Sequence, residues 1–254
     1  MPGEKVYKLN YKIDIPLTAG LFIGSYLGFD KLGHKPILDP GQISVLDMNS
    51  VGSFDRRALK QSPSNMYRAQ SISDWGRNIT LLLPALLFID KQIRQDWLDV
   101  TLLYMETQSV NLSIYLLAGP TFTQRVRPYV YYPEVPLDDK IINGSTDSWF
   151  SAHTSSTAAA SFFMAKVYSD YHPELGNKKF WLYAAALLPT AFVGFSRYRA
   201  LKHFPKDVMV GAAVGAAVGI LIPHFHKIKN KKASKLTVVP FTGAQTGMAV
   251  SLKL

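Results

Sequence analysis

A short run of residues between two apolar segments combines histidine, aspartate and several cations. It extends from Ser196 to Asp207 and reads Ser-Arg-Tyr-Arg-Ala-Leu-Lys-His-Phe-Pro-Lys-Asp. Pro205 stands where a helix would begin, because the first helical position needs no backbone donor. His203 then lies just before that helix and Asp207 lies in its first turn. From this spacing we expect the Asp207 carboxylate to reach the imidazole of His203 and to hold it in one tautomer.

The surroundings of this histidine are strongly cationic. Arg197, Arg199 and Lys202 all precede His203 within six residues. A fixed imidazole among cations suits a nucleophile that attacks an anion such as a phosphoryl group. The alternative interpretation of the stretch is a basic surface loop followed by a capped helix.

A second histidine stands at the start of another predicted helix, in Trp149-Phe150-Ser151-Ala152-His153. Backbone N–H groups at a helix start have no partner within the helix, so they bind phosphate oxygens readily. His153 in this first turn could donate a proton to a leaving oxygen. The alternative is a serine N-cap with an incidental histidine.

A third cluster follows the helical pattern that ends near Gly119. It reads Thr123-Gln-Arg-Val-Arg-Pro128. The guanidinium of Arg127 could bind two phosphate oxygens at once. Taken alone, the cluster is also typical of a solvated basic loop.

Composition narrows the class of partner. The chain has 254 residues, of which 48% are hydrophobic and 18% charged, with a net charge of +10 and no cysteine. A positive balance suits an anionic partner. The basic residues flank apolar segments instead of forming a stripe on a polar surface, which disfavours nucleic acid and favours phospholipid headgroups or phosphorylated substrates.

Hydrophobic patterning predicts an all-α fold, a six-helix membrane bundle with catalytic loops on one face. The apolar segments cover residues 15–29, 78–89, 97–119, 151–168, 180–195 and 208–222. Long loops cover 30–73, with a short helix at 54–61, and 121–149. Residues 236–240 and 248–254 alternate like two strands, which predicts a small C-terminal β-hairpin. We therefore divide the chain into a helical domain, 1–235, and a tail, 236–254.

Glycines recur at every fourth position in two of these segments. They stand at 20, 24 and 28 in the first and at 211, 215 and 219 in the last. Such spacing lets neighbouring helices approach closely.

The distribution of lysines predicts an orientation in a membrane. A basic run, Lys227 to Lys235, follows the last apolar segment, and Lys5, Lys8 and Lys12 precede the first. Six crossings put both on the same side, and the positive-inside rule makes that side cytoplasmic. The prediction is a multi-pass protein of a bacterial-type inner membrane, with His203 facing the periplasm. Several segments are shorter than a usual span, so a soluble periplasmic protein is the alternative.

Together the three clusters resemble the signature of the type 2 phosphatidic-acid phosphatase superfamily, which also includes the vanadium haloperoxidases. The third part of that signature matches at every defined position, with Ser196, Arg197, His203 and Asp207. The resemblance covers roughly residues 75–223, with its signature parts between 120 and 207 and helices between them.

The other two parts of the signature are incomplete. The second keeps Ser151 and His153 but has Phe150 and Ala152 in place of proline and glycine. The first keeps Arg127 and Pro128, but the family's lysine would fall at position 120, where this chain has proline.

The resemblance implies a metal-free and cofactor-free mechanism through a phosphohistidine. In it, His203 would attack phosphorus, Asp207 would orient it, and His153 would protonate the leaving group and then activate water. The groups expected to bind the phosphoryl oxygens, with three further candidates at the end, are Arg127, Arg197, Ser151, the amide of Ala152, Arg125, Lys202 and Ser196. Of these, Arg125 or Lys202 would supply the charge of the missing lysine.

The resemblance also implies a lipid phosphate as substrate, hydrolysed as a monoester or diphosphate at the membrane. Three alternatives remain open: a soluble periplasmic acid phosphatase of the same superfamily, a vanadate-dependent haloperoxidase, and a catalytically silent membrane protein that binds lipid headgroups. Pro120 motivates the last of these.

Overall fold

Six long helices make up most of the chain in the computed structural model, which describes residues 5–228, 236–241 and 247–252. We number these helices in chain order: α1 is Tyr11–Gly33, α2 Met66–Leu82, α3 Trp97–Ala118, α4 Ala152–Tyr171, α5 Lys179–Arg199 and α6 Pro205–His226. The predicted all-α fold of six helices is confirmed.

Short helices occupy the connections. The segments with α-helical bonding are Pro40–Ser44, Lys91–Gln95 and Leu137–Lys140. The 3₁₀ segments are Met48–Ser50, Asp55–Lys60, Pro63–Asn65, Leu83–Ile89, Pro128–Tyr131 and Pro173–Lys178. The predicted short helix at 54–61 is the 3₁₀ segment Asp55–Lys60.

Two helix boundaries differ from the sequence prediction. Helix α2 begins at Met66, whereas the sequence predicted a loop as far as Ser73. The apolar segment 78–89 is the end of α2 followed by a 3₁₀ turn that contains Pro84. Tertiary packing extends α2 through polar residues that have no hydrophobic periodicity of their own, so sequence pattern missed its first two turns.

The six helices alternate in direction, so three helix ends and three helix starts meet at each end of the bundle. At one end, Lys35 after α1 donates to the carbonyl of Pro120 after α3, with a distance of 2.9 Å. At the other end, Tyr171 in the last turn of α4 donates to Asp96 just before α3 at 2.8 Å. Both long loops, and the turn between α5 and α6, lie at the first of these ends.

Helix α4 is the centre of the bundle, and its contact with α6 is close because α6 presents glycine. A Cβ added at Gly211, Gly215 or Gly219 would lie 2.5, 2.0 or 2.6 Å from a backbone carbonyl oxygen of α4. The carbonyls belong to Ser151, Ser155 and Ala159. The close packing predicted from this glycine spacing is therefore observed.

The corresponding prediction for α1 is wrong. Added Cβ atoms at Gly20 and Gly24 would meet nothing within 4 Å, and at Gly28 the nearest atom belongs to the flexible side chain of Leu116. Helix α1 packs mainly against α3. Its glycines at positions 20 and 24 lie on the outer surface, where no neighbouring helix approaches.

The outer surfaces of the helices carry many large apolar side chains. Examples on different helices are Ile23, Leu82, Leu117, Leu188 and Phe225, each more than 60% exposed. Pro173–Arg199 and Pro205–His226 are also long and apolar enough to cross a bilayer, as judged by length and composition only. These helices therefore present apolar side chains both to the core and to the surroundings.

The C-terminal segment forms the predicted hairpin. Strands Leu236–Phe241 (β1) and Gly247–Leu252 (β2) pair antiparallel, with Leu236 opposite Leu252 and Phe241 opposite Gly247. Of the predicted basic run, Lys227 lies in the described part of the chain, and the other lysines lie outside it.

The contact between α4 and α6 gives a first prediction. Gly215→Ala should lower the free energy of unfolding by about 1–3 kcal/mol, because the new methyl group must displace the carbonyl of Ser155. Gly20→Ala is the matched control, and it should leave stability unchanged or slightly higher, since nothing lies near that position. Thermal unfolding in detergent, followed by tryptophan fluorescence, measures both. Equal melting temperatures for the two variants would contradict the proposed packing.

Candidate active site

The turn between α5 and α6 is held in an unusual backbone conformation at one end of the bundle. Leu201 has φ of 55°, in the left-handed region that costs a branched side chain energy. Its side chain is fully buried, and its carbonyl accepts a hydrogen bond of 3.0 Å from the amide of Tyr129. Helix α6 begins at Pro205, as predicted, so this turn fixes His203 directly before the helix.

His203 is bound through one ring nitrogen and keeps the other as an acceptor. Nδ1 lies 2.7 Å from the carbonyl oxygen of Ser148, which can only accept, so Nδ1 carries the hydrogen. Nε2 lies 3.5 Å from a guanidinium nitrogen of Arg127. Burial lowers the pKa of His203 well below its ordinary value, and the charges of Arg127 and Arg197 lower it further. The imidazole is therefore neutral, with a lone pair on Nε2.

The structure corrects the prediction that Asp207 contacts His203. Its carboxylate accepts hydrogen bonds from the hydroxyl of Ser148 at 2.6 Å and from the amide of Phe204 at 2.9 Å, and it pairs with Arg125. Asp207 thus acts on His203 through Ser148, whose carbonyl holds Nδ1. A carboxylate within the first turn of α6 is directed back at the helix start, because it caps the amide of Phe204.

Both terminal guanidinium nitrogens of Arg125 are paired with buried carboxylates. One guanidinium nitrogen pairs with Asp207, and the other lies 2.7 Å from Asp55. Its plane also lies over the ring of Phe204, at 4.6 Å from the centroid. Arg125 therefore stabilises the turn between α5 and α6. Of the two residues expected to supply the charge of the missing lysine, Lys202 remains the candidate.

A cavity of about 500 Å³ opens beside the turn. It combines residues from α2, α4, α5, the long connection between α3 and α4, and the turn between α5 and α6. Its lining is Gln70, Asp74, Arg77, Arg127, Tyr129, Ile142, Asn143, Gly144, His153, Arg197 and Lys202. Four of the sequence-predicted residues thus meet here: Arg127, His153, Arg197 and Lys202.

Two arginines of this cavity are oriented by backbone and side-chain oxygens. Arg127 donates to the carbonyls of Gly144 at 2.6 Å and Lys202 at 3.0 Å. Arg197 is 5% exposed and donates to Ser73 at 3.2 Å, while its Nε has no hydrogen-bond partner in the described part of the chain. A buried donor without a partner is costly, so an anion that enters the cavity would satisfy it.

Lys202 contributes a further cation, and its ammonium group loses its proton more easily than that of an ordinary lysine. Its Nζ lies 4.4 Å from the ring centroid of Tyr129. Burial lowers the pKa of Lys202 to about 8, and the neighbouring charges of Arg127 and Arg197 act in the same direction. An anion held nearby would restore the charge.

His153 is held by an acid that sequence reasoning missed. Nε2 of His153 lies 2.8 Å from Oδ1 of Asp74, and Arg197 lies 3.4 Å from the same oxygen. Asp74 and Arg77 both come from α2. They stand directly after the stretch, 30–73, that the sequence predicted to be a loop. In the sequence, the only sign of these two residues is a charged pair three positions apart before an apolar segment. The packing of α2 against α5 is what brings the pair to the cavity.

The other six predicted residues are not among those that line this cavity. His203, Asp207 and Arg125 are described above, and the remaining three are Ser151, Ser196 and Ala152. Ser151 is fully buried, and its hydroxyl caps α4 by accepting from the amide of Thr154 at 3.3 Å. Ser196 lines a separate surface cavity with Phe192 and Arg199. Ala152 is the first residue of α4, where φ is negative as required for alanine, and its amide is among those that a helix leaves without an intrahelical partner.

The sequence model of the PAP2 superfamily matches residues 101–231, about half of the chain. The chain belongs to the PAP2 superfamily. The matched region contains α4, α5, α6 and the turn with His203, and also Arg127 and His153. All three clusters found in the sequence lie within this matched region.

Two individual proteins are similar to this PAP2 chain. A probable diacylglycerol pyrophosphate phosphatase 1 from Schizosaccharomyces pombe is 26% identical over 146 residues, which cover 50% of this chain and 52% of the relative. The chain thus matches about half the length of that relative. The crystal structure of a transmembrane PAP2 type phosphatidylglycerolphosphate phosphatase from Bacillus subtilis is 21% identical, with a TM-score of 0.47, covering 85% of this chain and 98% of that one.

The network beneath the site gives a second prediction. Arg125→Met should destabilise the protein by about 3–5 kcal/mol, because it leaves the buried carboxylates of Asp55 and Asp207 without their cation. Lys206→Met is the matched control: Lys206 is 57% exposed and lies 4.0 Å from Asp55, so its loss should cost no more than about 1 kcal/mol. Thermal unfolding compares the two, and a small effect of Arg125→Met would refute this supporting role.

Proposed function

We propose that this PAP2 protein is a membrane phosphatase that hydrolyses a phosphate monoester or diphosphate on a lipid through a phosphohistidine at His203. The observation that carries the proposal is the convergence of four cations and His153 on one cavity, where one of the cations, Arg127, contacts Nε2 of His203. Such a cavity can hold a phosphoryl group by electrostatics alone.

In the first step, Nε2 of His203 attacks phosphorus with its lone pair. The bond between phosphorus and the leaving oxygen breaks, and His153, which enters this step as an imidazolium paired with Asp74 once the phosphoryl anion is bound, gives its Nδ1 proton to that oxygen. The products of this step are the dephosphorylated lipid, or its monophosphate, and a phosphorylated His203. The hydrogen bond from Nδ1 to Ser148 holds the ring during attack and stabilises the positive charge that develops on the imidazole.

In the second step, water hydrolyses the phosphohistidine. His153, now neutral, takes a proton from the water as the water oxygen attacks phosphorus. The bond between phosphorus and Nε2 breaks, inorganic phosphate leaves, and both histidines return to their starting states. Arg127, Arg197 and Lys202 stabilise the charge on the phosphoryl oxygens in both transition states.

Arg127 also controls access to the nucleophile in this proposal. Its guanidinium contacts Nε2 of His203, and the His203 side chain is only 2% exposed. A phosphoryl group in the cavity attracts Arg127 away from Nε2, and this movement frees the lone pair for attack. The same arginine therefore shields the histidine before binding and holds the phosphate afterwards.

Asp74 is proposed to position His153. Its carboxylate fixes one ring nitrogen and leaves the other to face the leaving group, and its contact with Arg197 ties both residues to α2. In the same way, Lys202 is proposed to replace the lysine for which this chain has Pro120.

The apolar outer surfaces of the helices favour a membrane enzyme over the soluble alternative. Large exposed apolar side chains recur on helices throughout the bundle, a pattern that a bilayer would cover. We propose an inner-membrane orientation with the cavity facing the periplasm, so that a headgroup enters from the outer leaflet. The name of the S. pombe relative supports a lipid diphosphate as substrate class.

The decisive experiment is phosphate release in detergent from a panel of lipid phosphates. His203→Ala should reduce turnover by at least about 10³-fold, since no covalent intermediate can form. His153→Ala and Asp74→Asn should slow formation of the intermediate most for substrates with poor leaving groups. Labelled substrate should leave acid-labile phosphate on the wild-type protein.

The matched control is His34→Ala, an exposed histidine that follows α1 at the same end of the bundle. It should retain full turnover. If folded wild-type protein releases no phosphate from any lipid, the function is headgroup binding without catalysis. If His203→Ala remains active, the proposed nucleophile is wrong.

Lys202 gives a prediction for pH dependence. Its pKa of about 8 means that the side chain loses its charge as the pH rises through that value, so kcat/KM should fall on the alkaline side near pH 8. Lys202→Arg keeps the charge and should move that fall to higher pH. Rate profiles from pH 6 to pH 10 test this, and an unchanged alkaline limb in the arginine variant would exclude Lys202 as its origin.

A further inference from the structure

A second cluster of ionisable groups lies far from the cavity. Asp14 of α1, Glu106 of α3 and His226 at the end of α6 each direct one ligand atom into the same space, all within 4.8 Å of one another. Nε2 of His226 lies 3.7 Å from Oδ2 of Asp14 and 3.5 Å from Oε2 of Glu106. Asp14 is 8% exposed and Glu106 5%. His226 follows Asp207 by 19 residues of one helix, a distance of about 28 Å along its axis.

The orientation of His226 points to a cation. Nδ1 lies 3.0 Å from the carbonyl oxygen of Ile222, which accepts its hydrogen. The remaining nitrogen, Nε2, then directs its lone pair at two carboxylate oxygens. Three electron-rich atoms at these distances repel one another unless a positive charge lies between them. A hydrogen bond from the far nitrogen to a backbone carbonyl is also the usual arrangement of a metal-binding histidine.

Buried oxygens at this place lack partners. Oε2 of Glu106 has no hydrogen bond within the described residues, although the side chain is almost completely buried. The hydroxyl of Thr18, one helical turn after Asp14 on the same face of α1, is also buried and without a hydrogen bond there. A buried acceptor without a donor lowers the stability of the fold. We therefore expect a group that binds oxygen ligands to occupy the space between these side chains.

We propose that Asp14, Glu106 and His226 bind a divalent first-row transition-metal ion such as Zn²⁺. Ligand atoms about 2.0–2.2 Å from a tetrahedral Zn²⁺ lie roughly 3.3–3.6 Å apart, close to the separations of 3.7 and 3.5 Å between His226 and the two carboxylates. An imidazole with two carboxylates suits zinc or manganese better than magnesium or calcium, which prefer oxygen ligands only. The backbone amide of Asn10 donates to Oδ2 of Asp14 at 2.7 Å and orients that carboxylate.

The ion would have a structural role. Helix α1 packs mainly against α3, and a shared ion would fasten it to α6 as well. The segment before α1 also runs over this place, since the amide of Lys8 donates to the carbonyl of His226 at 2.9 Å. No local pattern in the sequence indicates this site, because its three ligands stand about ninety or more residues apart on different helices. It is distinct from the cavity of the proposed phosphatase site.

Metal analysis of the full-length protein in detergent tests the proposal. After dialysis against excess Zn²⁺ and removal of free metal, inductively coupled plasma mass spectrometry should find one Zn²⁺ per chain. Zn²⁺ should also raise the melting temperature by several degrees, and a chelator should reverse the shift. Protein that retains no Zn²⁺ and shows no thermal shift would overturn the proposal and leave a protonated His226 between the carboxylates.

Variants locate the ion. Glu106→Gln and His226→Gln should each lose the stoichiometric Zn²⁺ and its thermal shift. His224→Gln is the matched control, because His224 is exposed in the same last turn of α6 and should bind like the wild type. Full Zn²⁺ binding in folded His226→Gln would place the metal elsewhere and refute this site. Should a variant fail to fold, X-ray absorption of the wild-type Zn²⁺ protein decides: one nitrogen with oxygen ligands supports the site, and any other set excludes it.

Discussion

The close contact between α4 and α6 is the constraint on which the candidate active site depends. Helix α4 carries His153 in its first turn, and α6 follows directly after His203. The two helix starts are tied by a hydrogen bond of 3.1 Å from the amide of Ser151 to the carbonyl of Asp207. Glycine at three successive turns of α6 lets the backbones meet, so that both histidines come to the same end of the bundle. A larger residue at these positions would separate the groups that the proposed chemistry needs together.

The cations around the site divide into two groups with different roles. Arg125 is neutralised by two buried carboxylates and contributes a fixed geometry to the turn. Arg127, Arg197 and Lys202 line the cavity, and among them Arg197 retains a buried donor without a partner. An anion-binding site requires this difference, because a cation already paired with a carboxylate has little to gain from a phosphate.

In the proposed function, Lys202 replaces the lysine for which this chain has Pro120. The connection after α3 brings Arg127 to the cavity, while Lys202 reaches it from the turn before His203. The proposed replacement thus comes from a position that is distant in sequence. The Nζ of Lys35 donates to the carbonyl of Pro120. This hydrogen bond helps to hold the loop that follows α3.

The sequence by itself determined the helical fold and the start of α6 at Pro205, and it singled out the two histidines of the proposed site. These features follow from local patterns: hydrophobic runs, the missing amide of proline and the spacing of a signature. Tertiary structure decided which partner each polar group takes. Asp207 binds Ser148 and Arg125 instead of His203, Ser151 caps its helix, and Asp74 holds His153, because each partner comes from a distant segment. The same reason hid the cluster of Asp14, Glu106 and His226, whose members have no pattern in common until three helices bring them together.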